Sequence, residues 1–398
     1  MKFTNARIGR VKPSETLAVK SKAAALRQQG RSVIDLSAGE PDIDTPEHIK
    51  EAAYTALKQG HTKYTNVSGI AELRSALCDK LRSENSIDAE AESIIVTNGG
   101  KQAIYSFFDV TLEKGDEVII PAPYWVSYPA IVELCSGTPV IVKCKAENGL
   151  KLQPQELKDK LTAKTRCFVI NSPSNPCGIG YEAQELQALG EVLESYPNCL
   201  ILSDEVYEKI VFNNFKFTSF AAACPKLADR VFTVNAFSKS YSMTGWRVGY
   251  AHGPSDIISA MGRHQSQTTS NVCSPAQYAA LAALKGPQDF INQMISDYSR
   301  RIEKISKIFT EIPGIRVDCM PRGAFYLFVN FTDWLKRKNK SHLKGSADFA
   351  EYLLDKRGVA VVPGEAFGDD YAFRLSVSSS DSNIEQGVER IVQFLSDN

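Results

Sequence analysis

Lys239 and Arg247 stand between two apolar runs in the stretch NAFSKSYSMTGWRVGY. A lysine makes an imine with an aldehyde once burial lets its amine lose a proton. An arginine nearby pairs with a phosphate dianion through two parallel hydrogen bonds. Alone, two such cations are ordinary surface charges; their company gives them weight. In SDEVY, Asp204 ends a strand-like run, where parallel sheets bind ligands. A carboxylate there facing a pyridine nitrogen keeps the ring protonated and electron-accepting. The competing role is a helix N-cap, and the local sequence leaves the two even. Tyr207, in the same stretch, is placed to donate to a phenolic oxygen of such a ring.

The stretch NSPSNPCG, from Asn171 to Gly178, carries strong turn chemistry. Within it Asn175 is a candidate donor to the ring oxygen, with Pro176 fixing the backbone through a cis bond. Asn98-Gly99-Gly100-Lys101 joins a strand to a helix, where free backbone N–H groups form a phosphate cup. Glycines at such a junction also serve plain tight turns. Tyr124-Trp125 offers an aromatic face for stacking, although a lone Trp is more often core. The five histidines (His48, His61, His252, His264 and His342) lack ligand spacing, and no metal site is expected.

These residues need elements to hold them. Short apolar runs at 93–97, 117–120, 140–142, 166–170, 200–203, 231–235 and 248–251 read as strands. Helical patterns after Gly100 and at 126–134 and 183–194 lie between some of them. That rhythm gives an α/β domain with a mostly parallel sheet buried on both faces. Near the start, Ser14 caps a helix through Leu17 and Leu26 that Gly30 stops, and a second helix begins at Thr45-Pro46 with Pro at its first position. Beyond Gly286 the pattern changes: a long polar helix at 288–308, strands at 324–329, 359–362 and 373–377, and a helix at 347–356. This predicts an N-terminal segment, 1–46, whose helix and strand at 33–36 pack with a small α+β domain at 287–398, and a large domain at 47–286. The basic stretch 336–344 reads as a solvated helix end or loop.

The chain has 398 residues, with 46 Lys plus Arg against 46 Asp plus Glu. That balance gives no electrostatic case for nucleic acid or an anionic membrane. No apolar run reaches bilayer length, and MKFTNARIGR lacks the apolar core of a secretory signal. Nine cysteines without a C-x-x-C pair suggest reduced thiols and a cytoplasmic setting.

Taken in order from SAGEPD to FRLSVS, these motifs resemble the class I and II aminotransferases, pyridoxal-phosphate enzymes of fold type I. KPSETLAV, GEPDIDTPEHIKEAA, GGKQA, PYWVSYP and MTGWRVGY are similar to stretches of the prokaryotic subgroup Ib aspartate aminotransferases. The resemblance implies pyridoxal 5'-phosphate as cofactor, and the roles follow position by position. Lys239 matches the imine lysine, which also carries the proton between the substrate Cα and C4′ of the cofactor. Asp204 matches the partner of the ring nitrogen; Tyr207 and Asn175 match the pair bonded to the ring oxygen. Trp125 matches the stacking aromatic. Gly100, Lys101, Ser238 and Arg247 match the phosphate environment, and Tyr64 a tyrosine reaching the phosphate from a neighbouring subunit of a homodimer. Arg374 matches the clamp on the substrate α-carboxylate, and Gly39 a backbone contact to it. Two positions depart from the better-known pattern. Ala236 stands where many relatives have a phosphate-binding serine, which weakens one contact. Cys177 stands where Thr is usual, with little effect expected.

The implied reaction is a ping-pong transfer between aspartate and 2-oxoglutarate. Lys101 is the candidate cation for the distal carboxylate, against a plain phosphate contact; Lys12 is a second candidate, against a solvated charge. Prephenate, another dicarboxylate, suits the same two lysines; an aromatic or other amino-acid aminotransferase and a pyridoxal-phosphate lyase on the same scaffold are further alternatives. A non-catalytic regulator would need a basic DNA-binding head before the first predicted helix, where only about a dozen residues stand, so a catalytic role is the expectation.

Overall fold

The computed structural model describes residues 8–11, 13, 15–212, 214–338 and 343–397, with the side chains of Arg10 and Lys338 outside that set. Its frame is a seven-stranded sheet in the order β2-β8-β7-β6-β5-β3-β4. The strands are β2 (Ile94–Thr97), β3 (Glu117–Ala122), β4 (Thr138–Lys143), β5 (Thr165–Asn171), β6 (Leu200–Asp204), β7 (Val231–Ala236) and β8 (Gly249–His252). All pairings are parallel except those of β8, which runs antiparallel to β2 and β7. The fold is α/β and mostly parallel, as expected.

Period-two alternation sends the strands' side chains into two separate cores. Ile95, Val118, Val169, Leu202 and Val234 face one side, where Phe107 of the helix Gly100–Thr111 packs against Phe108 and Phe232. Ile94, Ile119, Phe168, Ile170 and Ile201 face the other, with Leu186, Leu189 and Leu193 of the helix Ala183–Glu194. Burial on both faces explains why these strands read as unbroken apolar runs.

A second, antiparallel sheet is ordered β11-β12-β9, from β9 (Tyr326–Asn330), β11 (Val362–Pro363) and β12 (Ala372–Ser376). Beside it β1 (Ile34–Asp35) pairs in parallel with β10 (Val359–Ala360). Ala23, on the helix Glu15–Gln28, is buried with Val33, Leu354 and Ala360. The chain's start therefore packs on elements from near its end. Among the described residues, no helix is long and apolar enough to cross a membrane.

Several boundaries differ from expectation. The run 359–362 is two strands, because its halves pair with different sheets: β10 with β1, and β11 with β12. Pro46 is the N-cap of the helix Glu47–Lys58 rather than its first residue; its φ of −53° and ψ of 145° are extended, and its carbonyl accepts from Ile49 and Lys50. Helices at Ala71–Asn85, Ser255–Thr268, Ser274–Lys285 and Asp381–Asp397 are additional to those read from the sequence. Ser14, the expected cap of the first helix, lies outside the described residues, as does part of the basic stretch after the helix Thr332–Lys338.

Candidate active site

A cavity of about 410 Å³ opens at the carboxyl ends of β5, β6 and β7, the edge where parallel sheets collect ligands. It takes in Gly39, Gly100, Lys101, Trp125, Asn175, Asp204, Tyr207, Ser238, Lys239, Arg247 and Arg374. Two sequence candidates are not among these residues. Tyr64 is outside this cavity, with 90% of its surface exposed. Lys12 lies outside the described residues.

Lys239 sits in the single helical turn Phe237–Ser240 that follows β7. Its Nζ donates to the carbonyl oxygen of Gly39. Burial, then the positive charge of Arg374, lower its pKa to about 8. That leaves about a tenth as free amine near neutrality, the form that attacks a carbonyl or accepts a proton.

Asp204 is the last residue of β6. Its Oδ2 accepts from Tyr128 Oη at 2.5 Å and its Oδ1 from the Val206 N–H at 3.3 Å. Burial raises its pKa to about 6, against the lowering effect of the Tyr128 hydrogen bond. Among the described residues no helix begins directly after Asp204, so the alternative role of N-cap falls away. Asn171 anchors the neighbouring turn: its Nδ2 donates to the Asp204 carbonyl at 2.8 Å and its Oδ1 accepts from the Asn175 N–H at 2.9 Å. The Asn175–Pro176 peptide is cis.

Arg374, on β12, is 2% exposed. Its Nη1 donates to Asn175 Oδ1 at 2.8 Å and its Nη2 to the Ser37 carbonyl at 2.9 Å. Its guanidinium lies 4.3 Å from the Tyr326 ring centroid and 5.1 Å from that of Phe367. Its Nε is buried with no partner among the described residues, and its two Nη atoms donate to neutral oxygens. A buried cation held only by neutral acceptors and rings is a socket for an anion. Tyr326 also meets Tyr207, oxygen to oxygen, at 3.0 Å.

At the other end, Gly99 adopts φ +83° and caps the helix Gly100–Thr111. Arg247 donates through Nη1 to the Thr244 carbonyl at 2.7 Å and through Nη2 to the Asn98 carbonyl at 3.2 Å. A Cβ on Gly99 would lie 2.3 Å from Arg247 Nη2, so only glycine permits this approach. A helix N-terminus beside an arginine is a cradle for a phosphate. Lys101 Nζ lies 5.0 Å from the Trp125 ring centroid, and its pKa is lowered by desolvation and then by Arg247. Ala236 lines the cavity where a serine would supply one more hydroxyl. Cys177 is fully buried, and burial pushes its thiol well above the ordinary range.

Sequence reasoning missed Tyr128, Tyr326, Asn171, Thr16, Lys20 and Glu40, all but Tyr128 on the cavity wall. Tyr128 follows Trp125 within PYWVSYP, and a helical offset of three residues was its signal. Tyr326 lies on a strand distant in sequence and carries no local mark. The site as a whole fits a flat, phosphorylated aromatic aldehyde. An amine of lowered pKa faces a buried carboxylate, a glycine-and-arginine cradle lies at one end, and an anion socket at the other.

Residues 31–391 match the family aminotransferase class I and II. The chain is 48% identical over 394 residues to a probable aspartate/prephenate aminotransferase of Rickettsia prowazekii, covering 98% of each chain. It is 47% identical over 396 residues to an aspartate/prephenate aminotransferase of Cereibacter sphaeroides, covering 99% of each. Its fold is similar to an aspartate aminotransferase of Rhizobium meliloti, with a TM-score of 0.95, 41% identity and coverage of 100% of this chain and 99% of that one. An aspartate aminotransferase of Thermus thermophilus solved with maleate gives 0.92 and 38%, covering 99% of this chain and all of that one.

Proposed function

Because the chain belongs to the class I and II aminotransferases, we propose that it moves the amino group between aspartate and 2-oxoglutarate, giving oxaloacetate and glutamate. It is a pyridoxal-5'-phosphate-dependent transaminase of fold type I. The cofactor supplies an aldehyde that condenses with amines and a pyridinium ring that takes up an electron pair.

The residues divide that work by position. Gly100, Ser238 and Arg247 hold the phosphate, with Gly99 giving the guanidinium room. Asp204, kept partly ionised by Tyr128, holds a proton on the ring nitrogen. Tyr207 and Asn175 would serve the ring oxygen, and Trp125 would offer the ring its aromatic face. Lys239 Nζ, with its lowered pKa, takes up the Cα proton of the amino acid as general base. Arg374 grips the α-carboxylate beside the backbone of Gly39, which fixes the Cα–H bond for reaction.

The observation that carries this reading is the buried Arg374 whose Nε has no partner among the described residues. An α-carboxylate completes it. Lys101, beside Trp125, supplies the cation for a distal carboxylate; the maleate with which the Thermus relative was solved is itself a dicarboxylate. Prephenate is a second amino acceptor, favoured by the names of the Rickettsia and Cereibacter relatives. The enzyme works in the cytoplasm as a homodimer, in which Tyr64, exposed on its own chain, reaches the partner's cofactor phosphate. Each chain divides at 1–46, 47–286 and 287–398, the first segment riding with the last.

A coupled assay tests the reading. Aspartate plus 2-oxoglutarate yields oxaloacetate and glutamate in equal amounts. Ammonia or pyruvate as the first product would move the enzyme to the lyases.

A further inference from the structure

The helix Glu15–Gln28 turns Thr16, Leu17 and Lys20 toward the cavity mouth, one helical turn apart. Leu17 remains 64% exposed there, so the helix roofs the entrance rather than filling it. Lys20 Nζ pairs with Glu40 Oε1 at 2.9 Å. Glu40 Oε2 accepts from Thr244 Oγ1 at 3.0 Å. The side chains of Lys20 and Glu40 are 56% and 45% exposed.

An ion pair this open to water contributes about 0–1 kcal/mol, so an entering carboxylate exchanges for Glu40 at little cost. Glu40 keeps its Thr244 hydrogen bond when Lys20 leaves, and is not stranded. Other cations on the wall have fixed work: Arg374 is held by Asn175 and Ser37, and Arg247 by Thr244 and Asn98. Lys20, on a long flexible stem at the rim, is free to follow a ligand. Lys22, on the same helix, is bound to Glu351 and does not line the cavity.

We infer that Lys20 is a specificity residue, a second cation that leaves Glu40 to bind the distal carboxylate of a dicarboxylic substrate at the cavity mouth. This rests on the dicarboxylate reading above. Lys20 and Lys101 then approach the distal group from the helix side and the Trp125 side of the cavity. Monocarboxylic amino acids, with nothing to offer Lys20, leave it on Glu40.

The test uses holoenzyme and equilibrium titration with maleate against a monocarboxylate of similar size, butyrate, alongside KM values for aspartate and alanine. Lys20→Ala weakens maleate and raises the aspartate KM about fivefold, with butyrate and the alanine KM unchanged. Lys20→Arg restores most of the loss. Lys22→Ala, which removes the same charge from the same helix, leaves the preference at the wild-type level. Glu40→Gln releases Lys20 and tightens maleate, and Lys20→Ala combined with Glu40→Gln stays as weak as Lys20→Ala. A wild-type preference for maleate that survives Lys20→Ala overturns the assignment. So does a double variant that recovers wild-type affinity, because Lys20 then only screens Glu40. A wild type with no preference for maleate overturns the dicarboxylate reading and the Lys20 assignment together.

Discussion

The guanidinium of Arg374 donates to Asn175 Oδ1 at 2.8 Å, linking β12 of the antiparallel sheet to the turn after β5 of the main sheet. The contact spans 199 positions of sequence, and it sets a buried guanidinium against the carboxyl-end edge of the large sheet. The neutral amide orients the arginine without neutralising it, which leaves its charge for a ligand.

Arg374→Leu removes that charge. Breaking a buried ion pair by deleting one partner costs about 3–5 kcal/mol, so kcat/KM for aspartate falls about 10²–10⁴-fold. Steady-state kinetics measures this, and the visible absorption of the bound cofactor persists in the variant. Arg374→Lys recovers little, because an ammonium lacks the planar fork. A loss below tenfold would remove Arg374 from the carboxylate site.

Lys239 in cofactor-free protein titrates near pH 8, well below the ordinary lysine value of about 10.4. The pH dependence of its reductive methylation reads this directly. Arg374→Leu raises the value, since the arginine's charge is the second cause of the shift. The linkage has a definite sign. Between about 8 and 10.4 the unfolded chain holds more protons at this lysine than the folded chain, so its contribution to stability rises with pH in that window. Lys239→Met abolishes that slope.

Tyr128→Phe withdraws the hydrogen bond that holds the Asp204 pKa down. The Asp204 pKa then climbs above about 6 and the acid limb of kcat moves to higher pH. In cofactor-free protein the folded pKa of Asp204 lies above its unfolded value of about 3.9. The folded state therefore binds more protons between about 4 and 6, and this group's contribution to stability falls as pH rises through that window. The slope steepens at its upper end in Tyr128→Phe. An unmoved acid limb would separate Tyr128 from the tuning of Asp204.

Much of this was legible in the sequence for a physical reason. Asp204, Asn175, Gly100 and Lys239 all sit at junctions where a strand ends, so an apolar run followed by a polar or glycine residue marks each one. The strands of the main sheet were legible because burial on both faces makes them continuous apolar runs. Tyr326 and Glu40 were not, because they join the cavity through tertiary packing across long stretches of chain. The helix Ala71–Asn85 was missed because Lys80, Asn85 and Glu208 are buried together, giving its inner face polar residues that blur the amphipathic stripe. The division of 359–362 was hidden because pairing with two different sheets leaves no trace in four apolar residues.

Gly99→Ala places a methyl against Arg247 and forces a φ of +83° on an L side chain. Either the arginine shifts or the turn does, and the phosphate cradle opens. Strain of about 1–2 kcal/mol at such a residue weakens cofactor binding about tenfold in spectral titration. The same substitution at Gly30, also at positive φ but with nothing within 4 Å of its Cβ, leaves cofactor affinity unchanged.

The most direct test of Lys239 as anchor and proton carrier is a single turnover with aspartate and no oxo-acid acceptor. Wild-type holoenzyme releases one equivalent of oxaloacetate per site as its visible band gives way to that of the aminated cofactor. Lys239→Ala, loaded with cofactor, releases oxaloacetate at least about 10²-fold more slowly, the lower range expected for losing a general base. Conversion by Lys239→Ala at the wild-type rate would contradict the account.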